Sequence, residues 1–317
     1  MEPTLARIGS LNRLSGFEMV DEVEFQVLGP LRILFDGRDV GLRSRRQQVL
    51  LAVLVIHHGR PVNTDALLDA LWGDDLPASA ATTLRTHLSR LRSRVGMPRL
   101  IVTTGSGYSL QARAETIDAV RFESLARDGR RALRSGDSMI ASRTLEEALG
   151  LWRGRAFGAL ADVHAIRAEA GRLEELRLTV LEERIDADLG LGRHSELVGE
   201  LDALTGAHPF RERFWAQLMT ALYRSGRQAD ALGAYQQARN VLGEELGIEP
   251  SPELRDLEER ILLQDPELAS PPLRGRSNGS GNLPVQVTSF VGRDQEMTEV
   301  EKLIRGARLV TLAGVGG

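Results

Sequence analysis

The sequence contains no cysteine, and this absence excludes disulfides, thiolate zinc sites and cysteine nucleophiles. Aromatic residues make up only 4% of the chain, so leucine, valine and alanine must provide most of the packing. No apolar run approaches the ~18 residues of a membrane helix, and the N-terminus lacks a signal-peptide core. We therefore expect a cytoplasmic protein. Lysine occurs once, at Lys302, so arginine carries nearly all of the positive charge.

The charge of the chain is unevenly distributed. The formal net charge is −4 over 317 residues. Residues 24–112, however, contain 11 arginines and 7 acidic residues, a local balance of +4, and the acidic excess lies downstream. A basic segment within an acidic chain is typical of a nucleic-acid-binding module joined to a regulatory region.

The most informative segment is Ala80–Leu110, which predicts an amphipathic helix followed by a β-hairpin. At 100° per residue one face of the helix is apolar and the other carries hydroxyl and guanidinium groups, which suit base edges and phosphates. The apolar face consists of Leu84, Leu88, Leu91 and Val95. The polar face comprises Thr82, Thr86, Ser89, Arg90 and Ser93, flanked by Arg85, Arg92 and Arg94. The alternative is an ordinary solvent-exposed helix face.

The residues before this helix predict three short strands and two helices. The strands are expected at Glu24–Leu28, Leu31–Phe35 and Val40–Leu42, with a hairpin turn at Asp36-Gly37. One helix is expected over Ser44–His58, and a second should begin at Asn63 or Thr64 and end near Trp72. A trailing hairpin is expected over Leu100–Thr103 and Tyr108–Gln111. This order predicts a winged helix-turn-helix whose third helix enters the major groove.

Arginine is concentrated in the first turn of the helix predicted over Ser44–His58, at Arg43, Arg45 and Arg46. Cations are unfavourable at a helix N-terminus because of the helix dipole. A bound phosphate would offset that cost, although the penalty is small enough to arise by chance.

Between Ile117 and Leu263 the strand signal disappears and apolar residues recur at helical spacing. The turns at Gly192 and Gly226 are 34 residues apart, the period of tetratricopeptide repeats. Residues that fit this pattern are Trp215, Leu222, Tyr223, Gly226, Ala229, Ala231, Tyr235 and Pro250. A similar unit around Gly136 is out of phase. A helical bundle without a ligand and a peptide-binding groove both remain open.

The C-terminal residues predict a linker and the start of another domain. Residues 265–289 are rich in proline, glycine, serine and asparagine, which predicts a linker. Order is expected again over residues 290–317. A predicted strand there runs into Gly314, Val315, Gly316 and Gly317, the first half of a phosphate-binding loop. Without the lysine and the serine or threonine of that motif, we expect no ATP binding or hydrolysis, and we read the chain as a truncated piece of a longer protein.

Several segments together resemble one family. FQVLGPLRILFDGRDVGLRSRRQQVLLAVLVIHHGRPV and ALWGDDLPASAATTLRTHLSRLRSRVG are similar to the opening of the Streptomyces antibiotic regulatory protein (SARP) family. EELGIEPSPELRDLEERIL resembles the end of the bacterial transcriptional activation domain of that family, and FVGRDQE with GVGG resembles the ATPase domain of its large, AfsR-like members.

The resemblance implies a mostly α fold with a small β component, in five segments. These are a flexible leader (1–22), an OmpR-type winged helix (23–112), a tetratricopeptide-like activation domain (117–264), the linker (265–289) and the start of a nucleotide-binding, STAND-type ATPase domain (290–317).

The resemblance also implies a function: an activator that binds direct repeats at promoters as a side-by-side dimer and recruits RNA polymerase. The expected polymerase contacts are the sigma factor and the alpha and beta subunits, and the expected targets are antibiotic biosynthesis genes. We therefore expect nucleoid association, with ATP and Mg²⁺ needed only by a longer protein.

From the helical wheel and this resemblance we predict three groups of DNA-contacting residues. Major-groove contacts are expected from Thr82, Arg85, Thr86, Ser89 and Arg90. Phosphate contacts are expected from Arg43, Arg45, Arg46, His87, Arg92 and Arg94. Wing contacts are expected from Thr103, Thr104, Ser106 and Tyr108.

Two other functions compete with this interpretation. One is a protein–protein adaptor built on the helical repeats, in which the winged helix serves as an interaction surface. The other, compatible with DNA binding, is a switch driven by a downstream ATPase. No metal or catalytic site is expected, because the six histidines are dispersed and the paired carboxylates lie on arginine-rich helices.

Overall fold

The computed structural model describes residues 23–96 and 99–269, which fall within one compact unit. The predicted leader, most of the predicted linker, and the residues Gly314, Val315, Gly316 and Gly317 of the predicted phosphate loop lie outside the described residues.

The described part of the chain begins with a small antiparallel sheet of the predicted kind. Its strands, in the order β1-β2-β3, are β1 (Val23–Gln26), β2 (Arg32–Phe35) and β3 (Arg38–Asp39). The third strand was expected at Val40–Leu42, and this was wrong. Asp36 and Gly37 both have positive φ, 49° and 72°, so they form a tight two-residue turn. Pairing therefore resumes at once, with Arg38 opposite Phe35.

Three helices follow, close to their predicted bounds: α1 (Arg45–Ile56), α2 (Thr64–Trp72) and α3 (Ala80–Val95). Asn63 begins α2 as predicted, since its side-chain oxygen accepts a hydrogen bond of 2.7 Å from the backbone nitrogen of Ala66. The left-handed Gly96, with φ 74°, ends α3. The central residues of α1, Val49–Val55, are all buried.

A second sheet, in the order β4-β6-β5, closes the first part of the chain. It consists of β4 (Val62–Asn63), β5 (Ile101–Thr104) and β6 (Gly107–Leu110). The strand β4 was not predicted because two residues carry no periodicity. Its pairing requires glycine at position 107: φ is 152°, and a Cβ there would lie 1.9 Å from the carbonyl oxygen of Val62.

The rest of the described chain is helical. Two short 3₁₀ turns, Ala114–Thr116 and Gly158–Leu160, accompany the helices α4 (Asp118–Arg134), α5 (Ser138–Gly150), α6 (His164–Gly190), α7 (His194–Ala207), α8 (Glu212–Arg224), α9 (Gln228–Leu246), α10 (Pro252–Leu262) and α11 (Pro266–Ala269).

Three helix–helix turns of this region share one backbone geometry. Gly136, Gly192 and Gly226 have φ of 80°, 83° and 78°. After each glycine, the next backbone N–H donates to the carbonyl five residues earlier, for example Arg227 to Leu222 at 2.9 Å. This is the Schellman ending of a helix, and it turns the chain back as a helical hairpin. The predicted turns at these glycines are confirmed.

The short helix α11 corrects the predicted start of the linker at residue 265. Asp265 accepts a hydrogen bond from the backbone nitrogen of Glu267, and Pro266 opens the helix. Leu268 is buried, and its carbonyl accepts a 2.8 Å hydrogen bond from Arg224. The first residues with a linker-like composition, Pro266–Ala269, are therefore still part of the packed core.

The winged-helix part and the first helices of the helical part share one hydrophobic core. The buried cluster includes Phe25, Leu54, Phe122, Phe157 and Ile166, all 1% exposed or less. A second cluster, around Phe214 and Trp215, lies further along the helical part. The shared core fixes the winged helix on α4 and α6.

Candidate nucleic-acid interface

The helix α3 has one buried and one exposed face, as the sequence predicts. Leu84, Leu88 and Leu91 are 0% exposed, and Val95 is 4% exposed. This apolar stripe fixes the rotation of the helix about its axis. The five residues predicted to read base edges are all exposed on the other side: Thr82, Arg85, Thr86, Ser89 and Arg90.

The arginines of the winged-helix part differ from those of the helical part in their partners. Of the 11 arginines in residues 24–112, Arg32 alone forms an ion pair with a carboxylate of the described residues. Most of the described arginines after residue 112 are ion-paired, as in Arg130–Glu183 at 2.5 Å and Arg184–Asp188 at 3.1 Å. Most guanidinium groups of the winged-helix part thus have no carboxylate partner among the described residues.

Residues from all three helices of the winged-helix part meet near the middle of α3. The guanidinium of Arg46, in the first turn of α1, lies 5.3 Å from the ring centroid of Trp72 at the end of α2. His87 is half-buried, and its buried Nδ1 has no hydrogen-bond partner. Burial lowers the pKa of His87, and the charges of Arg46 and Arg90 lower it further. The sequence predicts Arg46, His87 and Arg90 as DNA contacts, but it does not show that Arg46 lies over the ring of Trp72.

The lowered pKa of His87 predicts a loss of stability in acid. The unfolded chain binds a proton on this ring near pH 6.5, and the folded chain does so only at a lower pH. The free energy of unfolding should therefore fall as the pH drops below about 6.5. Burial and Arg224 lower the pKa of His194 in the same direction. Urea unfolding at about pH 7.5 and about pH 5.5 measures this fall. Between these two pH values the free energy of unfolding should decrease less for His87→Gln than for the parent.

The exposed His164→Gln is the control for this measurement. An unchanged pH dependence in His87→Gln would contradict the expected proton linkage.

Arg92 lies between α3 and the hairpin of β5 and β6. Its Nε donates to the carbonyl of Ile101 at 2.7 Å, and its Nη2 donates to the Thr103 hydroxyl at 3.1 Å. Its guanidinium also lies 6.0 Å from the ring centroid of Tyr108. The sequence predicts Arg92 as a phosphate contact, but the structure directs two of its nitrogens at the hairpin.

Other predicted contacts fall into two groups. Arg43 and Arg45 are exposed at the start of α1, and Thr103 and Ser106 are exposed on the hairpin, with Thr104 half-buried beside them. Tyr108 is only 9% exposed, so little of its ring can reach a ligand. Arg94 is exposed, but its Nη2 donates to the carbonyl of Gly41 at 2.9 Å. A helical wheel of α3 cannot predict these partners of Arg92 and Arg94, because they lie outside the helix.

The described residues contain neither a membrane-spanning helix nor a cluster of side chains that could hold a metal ion. No helix within residues 23–96 and 99–269 is long and apolar enough to cross a membrane. The same residues contain no group of three or more histidine, aspartate or glutamate side chains placed to hold a metal ion.

Comparison with protein families matches both parts of this architecture. Residues 37–110 match the family described as "Transcriptional regulatory protein, C terminal". Residues 117–262 match the "Bacterial transcriptional activator domain". The two matches adjoin in the chain, in the order of the winged-helix part and the helical part.

Individual relatives extend over both parts. Regulatory protein AfsR of Streptomyces griseus is 40% identical over 94% of this chain, and the match covers 31% of AfsR. Regulatory protein DnrI of Streptomyces peucetius is 41% identical over 77% of this chain and 93% of DnrI. The chain thus spans about a third of the AfsR relatives and nearly all of DnrI.

A solved structure agrees with the fold. The structure described as Mycobacterium tuberculosis EmbR in complex with a low-affinity phosphopeptide superimposes with a TM-score of 0.75 at 39% identity. It covers 77% of this chain and 66% of that chain. With both parts matched in order and a relative covered almost end to end, the chain belongs to the SARP family of transcriptional activators.

Proposed function

We propose that this chain activates transcription by binding promoter DNA at direct repeats, with α3 in the major groove and the β5–β6 hairpin beside it. The observation that carries this proposal is the exposed face of α3. It presents hydroxyl groups together with guanidinium groups, and the guanidinium groups have no ion-pair partner among the described residues. The opposite face of the helix is buried in the core.

The residues of this surface divide into three roles. Arg90 and Arg85 would read guanine edges, because a guanidinium can donate to both O6 and N7 of guanine. Thr82, Thr86 and Ser89 would contact other base edges or thymine methyl groups. Arg43, Arg45, Arg46, His87 and Arg94 would hold phosphates, and Thr103, Thr104 and Ser106 would contact the backbone from the hairpin.

The partners beyond DNA also belong to the proposal. A second copy bound side by side on the repeat, and RNA polymerase contacted through its sigma factor and its alpha and beta subunits, would complete the activator. The exposed surfaces of the helical part and of the winged helix are the candidate contacts. Control of antibiotic biosynthesis genes would follow the SARP family. An ATPase in a longer protein would regulate these parts through ATP and Mg²⁺.

Selection from a randomised duplex library tests the DNA-binding proposal. The 317-residue chain should enrich a motif that occurs as a direct repeat, and it should bind that selected duplex more tightly than a shuffled duplex of the same composition. The failure of any motif to enrich would contradict sequence-specific binding and favour the adaptor alternative. Transcription in vitro from a promoter carrying the selected repeat, with bacterial polymerase holoenzyme, tests activation separately.

Arg92 is predicted to orient the hairpin on α3. Arg92→Ala should increase backbone amide exchange in β5 and β6, because it removes both hydrogen bonds to the hairpin. Affinity for the selected duplex should fall with little change in the salt dependence of binding. Loss of a phosphate contact would instead reduce the slope of log K against log salt by about 0.9.

The matched control for amide exchange is Arg85→Ala, an exposed position on the same helix, and it should leave exchange in β5 and β6 unchanged. If amide exchange in Arg92→Ala is unchanged and the slope of log K against log salt is reduced, Arg92 contacts a phosphate and does not orient the hairpin.

A further inference from the structure

The loop that joins α5 to α6 gathers two arginines around one exposed carboxylate. Both terminal nitrogens of Arg155 donate to the Asp162 carboxylate, at 3.0 and 3.4 Å. Arg167, in the first turn of α6, donates from Nη2 to the backbone carbonyl of Asp162 at 2.9 Å. The helical part thereby presents two guanidinium groups at the start of α6.

A third arginine reaches this place from the winged-helix part. The helix α1 packs against α6, and its first residue is Arg45. Arg155 lowers the pKa of Asp162 most, and the charges of Arg167 and Arg45 lower it further. Arg45, Arg155 and Arg167, which we call the interdomain strip, thus outnumber the one carboxylate at their centre.

The interdomain strip is continuous with the proposed DNA-contacting surface. Arg46 follows Arg45 in the chain, and its charge acts on His87 of α3 together with that of Arg90. Positive groups therefore run from the middle of α3, across the start of α1, to the start of α6. The shared hydrophobic core holds these three helices in a fixed arrangement.

Stability does not account for the interdomain strip. The side chains of Arg155 and Asp162 are 59% and 70% exposed. Exposed ion pairs contribute little to folding, since water screens them and the long side chain loses freedom. Three exposed guanidinium groups around one carboxylate leave an excess of positive charge, which suits a polyanion.

We propose that the interdomain strip binds the phosphates of DNA that flanks the site read by α3, so that the helical part extends the footprint of the winged helix. This inference rests on the proposed function. It assigns Arg155 and Arg167 as phosphate contacts and Asp162 as a residue that weakens binding.

Affinity for two duplexes tests the inference. One carries the selected site alone, and the other extends it by about one helical turn, ~10 base pairs, on each side. The double variant Arg155→Gln/Arg167→Gln of the 317-residue chain should bind the extended duplex about tenfold more weakly than the parent. Its salt slope should be smaller by about 1.8, the value for two phosphate contacts. Binding to the short duplex should stay within about twofold of the parent.

Two further variants sharpen the result. Asp162→Asn should strengthen binding to the extended duplex about two- to threefold, because it removes the carboxylate that repels phosphate. Arg127→Gln/Arg143→Gln is the matched control: both arginines are exposed on the helical part, on α4 and α5, and neither has an ion-pair partner within the described residues. This control should bind both duplexes as the parent does.

The outcomes separate the inference from the proposed function. If the Arg155→Gln/Arg167→Gln variant binds both duplexes like the parent while the parent prefers the selected sequence, the interdomain strip is not a DNA contact and the proposed function stands. If the parent binds selected and shuffled duplexes equally, both are overturned. Urea unfolding of each variant shows whether a weaker affinity reflects partial unfolding.

Discussion

Arg90→Ala is expected to weaken binding to the selected duplex by about 1–3 kcal/mol, or roughly 5- to 150-fold, and to leave binding to shuffled DNA nearly unchanged. The reason is the position of Arg90 in the middle of α3, exposed and without a carboxylate partner among the described residues. A guanidinium that pairs with one base edge contributes to the affinity for duplexes that carry that base, and not to the affinity for other sequences.

The control for this prediction is Arg60→Ala. Arg60 is also exposed in the winged-helix part and has no ion-pair partner among the described residues, but it lies after the end of α1 rather than on α3. Its removal should leave the ratio of selected to shuffled affinity unchanged. An equal loss on both duplexes in Arg90→Ala would assign Arg90 to a phosphate instead of a base.

Asp118→Ala is expected to have the largest effect on stability, lowering the free energy of unfolding by about 3 kcal/mol. Asp118 begins α4, and its carboxylate accepts hydrogen bonds from the backbone nitrogens of Val27 and Leu28, at 2.7 and 3.1 Å. Arg153 donates to the same carboxylate at 3.2 Å. One side chain thus joins the first sheet of the winged helix to the helical part.

The cost of this substitution arises from the groups it leaves behind. Burial raises the pKa of Asp118, because loss of water outweighs the hydrogen bonds from Val27, Leu28 and Arg153. The charge itself therefore contributes little, and the expected loss comes from two backbone amides that no longer have an acceptor.

Urea unfolding measures the effect, and two variants calibrate it. Asp118→Asn retains one acceptor oxygen and should lose less stability than Asp118→Ala. Glu115→Ala removes a carboxylate whose side chain is 75% exposed, and its stability should change by less than about 0.5 kcal/mol. A loss of less than about 1 kcal/mol in Asp118→Ala would show that the shared hydrophobic core alone holds the two parts together.

The local part of the fold could be predicted from the sequence. The stripe of leucines in α3, the cap at Asn63 and the turn at Gly226 each depend on residues close together in the chain, and the structure confirms them. The exposed face of α3 follows from the same periodicity. Its DNA contacts stay predictions.

The features that sequence patterns do not predict depend on partners distant in the chain. The strand β4 pairs with β6 far along the chain, and its residue Asn63 lies opposite Gly107, 44 residues later. Arg92 looks like a free cation on a helical wheel, yet it binds the hairpin that follows α3. The interdomain strip requires α1 to pack against α6, which only the shared core establishes.

The most direct test of the central claim is the affinity of the 317-residue chain for the selected and the shuffled duplex over a salt series. We predict tight binding to the selected duplex, with log K falling linearly with log salt. Four phosphate contacts, from Arg43, Arg45, Arg46 and Arg94, predict a slope of about −3.6 for each bound chain. The preference for the selected sequence should persist as the salt concentration rises. Weak and equal binding to both duplexes, or affinity that does not depend on salt, would contradict DNA recognition by α3.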